Sequence, residues 1–166
     1  ISITSTEGEG TRVCFTIPAD ININKIPAEK PEPASSPVET PYDPAERKRV
    51  LIAEDLDSNF MLIDIILSKR YDIARAVNGK EATEIFQTFN PDIILMDIKM
   101  PVMNGLEATR YIREKNSSIP IIALTANAFE SDQLEAKSAG CNDVLTKPVK
   151  ASMLLNSIDK YYYIRD

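Results

Sequence analysis

Residues 47–166 predict an α/β domain, a doubly wound five-stranded parallel sheet with helices on both faces, and three observations carry that expectation. Short apolar runs alternate with segments of helical periodicity, strand then helix, five times over. The central runs are apolar at every position, as strands covered on both faces are. Gly79, Gly105 and Gly140 fall beside predicted helix ends, the first two ahead of a helix and the third after one. Right-handed crossovers then leave few topologies.

In order, Val50–Ala53 reads as a strand and Asn59–Lys69 as a helix dense in Ile, Leu, Met and Phe. Asp72–Ala76 and Lys80–Phe89 follow, then Asp92–Met96, whose apolar run stops abruptly at Asp97. Leu106–Glu114 has helical spacing, Pro120–Leu124 is a strand, and Asp132–Ala139 a polar helix. Asp143–Leu145 and Ala151–Tyr162 close the series.

The leader differs. Residues 1–18 alternate β-favouring side chains around Glu-Gly-Glu-Gly, the pattern of a hairpin. Seven of the eleven prolines lie between Pro18 and Pro44, which predicts an extended linker over 19–46. A chain of 166 residues with 43% hydrophobic content supports one core plus such extensions.

Charge and composition remove several function classes. The formal net charge of −6 sits mainly in residues 1–46, which carry 3 basic and 8 acidic side chains, against 16 and 17 in the remainder. No basic stripe marks a nucleic-acid partner. Histidine is absent, which excludes any mechanism needing an imidazole within this chain. Cys14 and Cys141 are too few for a disulfide framework, and no stretch has the length of a signal peptide or membrane span. The expectation is a cytoplasmic segment without direct membrane contact, from a parent protein that is free to be anchored elsewhere.

In open α/β sheets, sites form beyond the carboxyl ends of the strands. The first strand ends in Glu54-Asp55, the third in Asp97, the fourth in Thr125, and the fifth runs through Thr146 into Lys147-Pro148. A strand-end Asp or Thr often caps the next helix, and a lone Lys is ordinarily solvated. For the set that account fails, because three converging carboxylates repel unless a cation joins them. Ligands made only of oxygen favour a hard ion, Mg²⁺ or Mn²⁺.

These residues resemble the receiver domain of two-component response regulators over Arg47 to about Tyr162. The motifs are the acidic pair Glu54-Asp55, Asn59, NGKEA at 78–82, MDIKMPVMNG at 96–105, LTANAF at 124–129 and AGCNDVLTKP at 139–148. The resemblance implies a flavodoxin-like strand order 2-1-3-4-5 and a phosphoacceptor at Asp97. It implies Mg²⁺ held directly by Asp55 and Asp97, through water by Glu54, and by the backbone carbonyl of Lys99. Thr125 and Lys147 are implied as phosphoryl contacts, and Lys147-Pro148 as a cis peptide. The donor is then a phosphohistidine, on a histidine-phosphotransfer domain or a kinase dimerisation domain.

Departures from the family pattern are informative. Val144 stands where many members carry the aromatic residue of a rotating switch, and Leu56 replaces a frequent Asn after the acidic pair. Lys99 and Asn127 occupy positions that tune phosphate lifetime in the family. The first helix, with Phe60 to Ile63, Ile65, Ile66 and Leu67, has more apolar residues than one core-facing stripe requires, so some are expected at the surface. Leu56 and Phe60 are the expected partner-facing residues; the competing expectation is that neighbouring elements, the last helix with Tyr161 to Tyr163 among them, cover the whole apolar surplus.

The leader, GEGTRVCFTIP at 8–18, resembles the last strands of a histidine kinase ATP-binding domain. That resemblance implies the carboxyl-terminal part of a hybrid histidine kinase, in a fragment that itself lacks kinase machinery. Two alternatives compete: a receiver-like binding module that works without phosphorylation, whose mark is a missing acceptor, metal ligand or Lys, and an aspartate-nucleophile phosphatase. The latter typically has a second Asp two residues past the first, where this chain has Lys99.

Overall fold

A computed structural model describes residues 2–6, 10–14, 47–126 and 129–162. Contacts divide the chain into two units, Ile1–Tyr42 and Asp43–Asp166. In the first unit, β1 (Ser2–Thr6) and β2 (Gly10–Cys14) pair antiparallel, with Ser2 opposite Cys14 and Thr6 opposite Gly10. The segment predicted as a proline-rich linker lies outside the described residues.

The second unit alternates as the sequence predicts: β3 (Arg49–Ala53), α1 (Asp57–Leu67), β4 (Asp72–Ala76), α2 (Gly79–Phe89) and β5 (Ile93–Asp97). The chain continues through α3 (Gly105–Lys115), β6 (Ile121–Thr125), α4 (Glu130–Ala139), β7 (Asp143–Thr146) and α5 (Ala151–Tyr162). All five strands are parallel, in the order β4-β3-β5-β6-β7. Counted within the domain, that is 2-1-3-4-5. Among the described residues no helix is long and apolar enough to cross a membrane.

Successive strand side chains point to opposite faces, and the core divides accordingly. Val50, Ile52, Ile93, Leu95, Ile122 and Leu124 pack with Ile63, Leu67, Leu154 and Ile158 of α1 and α5. Leu51, Ala53, Ile94, Met96, Ile121 and Ala123 pack with Leu106, Ile112, Ala136 and other residues of α2, α3 and α4. The uniform apolar runs are therefore two interleaved faces, each with its own helical cover.

The helix starts have local causes. Asn104 caps α3, accepting from Glu107 N at 2.9 Å while Glu107 Oε2 accepts from Asn104 N at 3.1 Å, a reciprocal capping box. Asn78 caps α2 by accepting from Glu81 N at 2.9 Å. The first helix has no such device, because Leu56 stands at its N-cap. It starts at Asp57, two residues before the apolar periodicity, and α4 likewise opens at Glu130 rather than Asp132. Their first turns are polar, so periodicity misses them, although acidic residues suit a helix N-terminus. Gly79 and Gly105 open their helices from within rather than preceding them, and Gly140 ends α4 at φ 107°.

The surplus of apolar residues on α1 is real. Ile63 and Leu67 are buried and Phe60 and Ile66 partly so, whereas Met61, Leu62 and Ile65 are exposed. Tyr162 stacks on Tyr71 with ring centroids 5.6 Å apart, and it and Tyr161 pack against the same core cluster without covering that outer face; Tyr163 lies outside the described residues.

Candidate functional site

Parallel register brings the strand-end residues together. Ala53 pairs with Met96, Asp97 with Leu124, and Thr125 with Thr146, so the residues that follow each strand's apolar run share one edge of the sheet. Lys147 N donates to Thr125 O at 2.7 Å and Ile98 N to Leu124 O at 3.0 Å, which extends the parallel bonding just past the strands.

At that edge one carboxylate oxygen from each of Glu54, Asp55 and Asp97 lies within 4.8 Å of the others. Glu54 is completely buried and Asp97 is 5% exposed. Lys147 Nζ lies 2.6 Å from Asp97 Oδ2 and 2.5 Å from Glu54 Oε2. Its approach to Asp97 has hydrogen-bond geometry; its approach to Glu54 Oε2 does not, so that buried oxygen has charge beside it but no hydrogen-bond donor among the described residues. Glu54 Oε1 accepts from Asn59 Nδ2 at 2.8 Å, and Asp97 Oδ1 from the backbone N–H of Lys99 at 3.1 Å. Thr125 is buried at the end of β6, and the Lys147-Pro148 peptide is cis. Asn127 lies outside the described residues, and Val144 is half-buried on β7.

Burial pushes the Asp97 carboxyl above its ordinary range, reinforced by the charge of Glu54 and opposed by Lys147 and by the Lys99 N–H. Three carboxylates against one ammonium leave an excess of negative charge in a largely buried place. Together with a donor set made only of oxygen, this fits a hard divalent cation.

All six residues predicted for the chemistry, Glu54, Asp55, Asp97, Lys99, Thr125 and Lys147, lie at this edge. Of the two predicted partner-facing residues, Leu56 is 55% exposed, while Phe60 is half-buried with the Arg75 Cζ 4.5 Å from its ring centroid. Two further residues bear on the site: Asn59, to which its motif assigns no role, and Arg75, which no motif marks.

The family of receiver domains of response regulators (Response regulator receiver domain) matches residues 50–159. The chain belongs to this family. As a receiver domain of two-component signalling it is similar to sensor protein EvgS of Escherichia coli K12, at 33% identity over 167 residues, covering 99% of this chain and 13% of that protein. The structure resembles the receiver domain of sensor histidine kinase PA1611 from Pseudomonas aeruginosa PAO1, solved with a magnesium ion coordinated in its active site cleft. The TM-score is 0.66 at 34% identity, covering 70% of this chain and 98% of that one. It also resembles the receiver domain of Saccharomyces cerevisiae Ssk1, solved together with the histidine phosphotransfer protein Ypd1, at TM-score 0.66 and 33% identity over 69% of this chain and 88% of that chain.

Proposed function

We propose that this receiver takes a phosphoryl group from a phosphohistidine onto Asp97 as one step of a phosphorelay. The observation that carries the reading is the Asp97 carboxylate itself, buried within an acidic cluster and held between Lys147 Nζ and the Lys99 N–H. A carboxylate oxygen of Asp97 attacks phosphorus, the new P–O bond forms as the P–N bond breaks, and the electron pair leaves with the imidazole nitrogen, which takes up a proton. The product is an acyl phosphate. Strand β5 fixes the line of attack and Lys147 offers positive charge to the phosphoryl oxygens, with the Thr125 hydroxyl as a further contact. Asp55, Asp97, the Lys99 carbonyl and, through water, Glu54 are the proposed holders of Mg²⁺, or of Mn²⁺ in its place. When bound, the ion neutralises charge on the transferring group.

The protein donor is a histidine-phosphotransfer domain or a kinase dimerisation domain, as the pairing of the Ssk1 receiver with Ypd1 supports. Its imidazole must come in line with Asp97, so the contact surrounds the strand-end site and includes Leu56 and the accessible part of Phe60. The match to EvgS across nearly the whole chain supports a hybrid histidine kinase as parent, with 1–18 a remnant of the ATP-binding domain, 19–46 a linker and 47–166 the receiver, working in the cytoplasm.

Incubating the full chain with Mg²⁺ and a small phosphodonor and reading its intact mass tests the acceptor. The expected gain is one phosphoryl group, abolished by Asp97→Asn and by chelator. A gain that persists in Asp97→Asn moves the acceptor elsewhere, and a wild-type chain that never gains mass points to a binding module that works without phosphorylation.

A further inference from the structure

Resting on that reading, we infer that Arg75 is a positioning residue for the acidic pair, tying the loop that carries Glu54 and Asp55 to the first turn of α1. Arg75 belongs to β4, the edge strand, opposite Ile52 of β3, and its side chain is 24% exposed. Its Nε and Nη2 lie 3.4 Å from Glu54 O, and Nη2 lies 3.4 Å from Asp55 O. The same Nη2 pairs with Asp57 Oδ1 at 2.7 Å, and the guanidinium lies over the Phe60 ring.

One planar group therefore faces the carbonyl oxygens of both acidic residues, the first carboxylate of α1 and an aromatic ring one turn on. Singly, each contact is weak: the carbonyl distances are long, and Asp57 is well exposed. Their value is geometric. Holding the two carbonyls sets the peptide planes from which the Glu54 and Asp55 side chains depart, while the Asp57 and Phe60 contacts anchor the first turn of a helix that lacks a side-chain cap. That first turn also carries Asn59, the amide donor to Glu54 Oε1. Lysine cannot replace this fork, because an ammonium is a point charge without the plane that stacks on a ring and spreads its donors.

Charge and geometry predict opposite signs, which makes the inference decidable. Arg75 is a cation near a cation site, so on charge alone Arg75→Met strengthens Mg²⁺ binding and Arg75→Lys leaves it unchanged. As a positioning residue, both substitutions weaken it, by about 10-fold, the lower end of what the loss of groups supporting metal ligands costs.

The experiment titrates Mg²⁺ calorimetrically into the 166-residue wild-type chain, Arg75→Lys and Arg75→Met, with thermal melts to confirm folding. Amide hydrogen exchange of residues 54–57 is followed without metal, and phosphorylation by a small donor is measured across Mg²⁺ concentrations. The expected results are weaker binding in both variants, faster exchange in the loop, and a phosphorylation deficit that disappears at saturating Mg²⁺. A folded Arg75→Lys with wild-type affinity and exchange overturns the inference, as does tighter binding by Arg75→Met; should Arg75→Met not fold, the lysine variant alone decides. A wild type that neither binds Mg²⁺ nor gains a phosphoryl group instead overturns the phosphoacceptor reading on which the inference rests.

Discussion

Replacing Gly105 with Ala tests how tightly the fold fixes the proposed acceptor. A Cβ built there sits 2.0 Å from the carbonyl oxygen of Asp97 and 2.9 Å from both Asp97 C and Met96 Cγ, against a closest ordinary approach of 3.0 Å. The start of α3 and the end of β5 must separate by about 1 Å, since the obstacle is backbone that no rotamer change removes. Both sides resist: Gly105 N donates to Ile98 O at 3.0 Å, and Met96 is completely buried. Overpacking of this kind costs about 1–3 kcal/mol. Gly105 is the first residue of α3, where the interior penalty of Gly does not offset this. A loss of about 1–3 kcal/mol in urea denaturation is expected. The effect on phosphorylation is larger, because a carboxylate displaced by about 1 Å loses about 100-fold in rate. Gly79→Ala is the control, its Cβ meeting Met103 O at 2.5 Å in the loop rather than Asp97. It should lose stability while keeping most of its rate with a small phosphodonor. If Gly105→Ala is phosphorylated at the wild-type rate, or Gly79→Ala slows equally, the placement of Asp97 by the β5–α3 junction is not what limits the chemistry.

Three further outcomes follow from single contacts. The raised Asp97 pKa means that as pH climbs from 3.8 the unfolded chain releases this proton before the folded one, so the native state binds more protons and the Asp97 contribution to stability falls until the folded pKa is passed; metal-free Asp97→Asn should therefore melt higher than wild type at pH 7, and an equal or lower melting temperature refutes the burial cost. Asn59→Ala removes the amide donor from Glu54 Oε1, a carboxylate with no exposure, and should cost about 1–3 kcal/mol by chemical denaturation, whereas an unchanged midpoint means that Asn59 does not hold Glu54. Val102 is a β-branched residue at φ 67° that is 82% exposed, so Val102→Asn should stabilise by about 1 kcal/mol, and a lower denaturation midpoint excludes backbone strain at this position.

The architecture was legible because burial on both faces leaves a direct signature: Ile93 to Met96 has no polar position, since Ile93 and Leu95 face α1 and α5 while Ile94 and Met96 face the opposite helices. The site was legible for a related reason. A polar residue that ends such a run marks the strand's end, and parallel strands align their ends, so the sequence alone places Glu54, Asp97, Thr125 and Lys147 together. The first turns of α1 and α4 were not legible, because Asp57-Ser58 and Glu130-Ser131 show no apolar period.

Arg75 was invisible for a deeper reason. In the sequence it is a charge in the penultimate position of a short strand, indistinguishable from the solvated residues that edge strands carry. Its significance depends on which strand lies beside β4, and on how far an arginine stem reaches along that neighbour. Neither quantity is local. Once β4 lies against β3, a side chain opposite Ile52 extends past the strand end to Glu54 O and Asp55 O, the backbone atoms behind the acidic pair. Strand-end chemistry can be read from residue types because the groups that react must be of particular kinds. Support that acts through backbone carbonyls leaves no such constraint on the supported residues, and any long side chain with a planar cation meets the need. Motif reading therefore finds the carboxylates and misses what aims them, and the paired Arg75→Lys and Arg75→Met titrations are aimed at that difference.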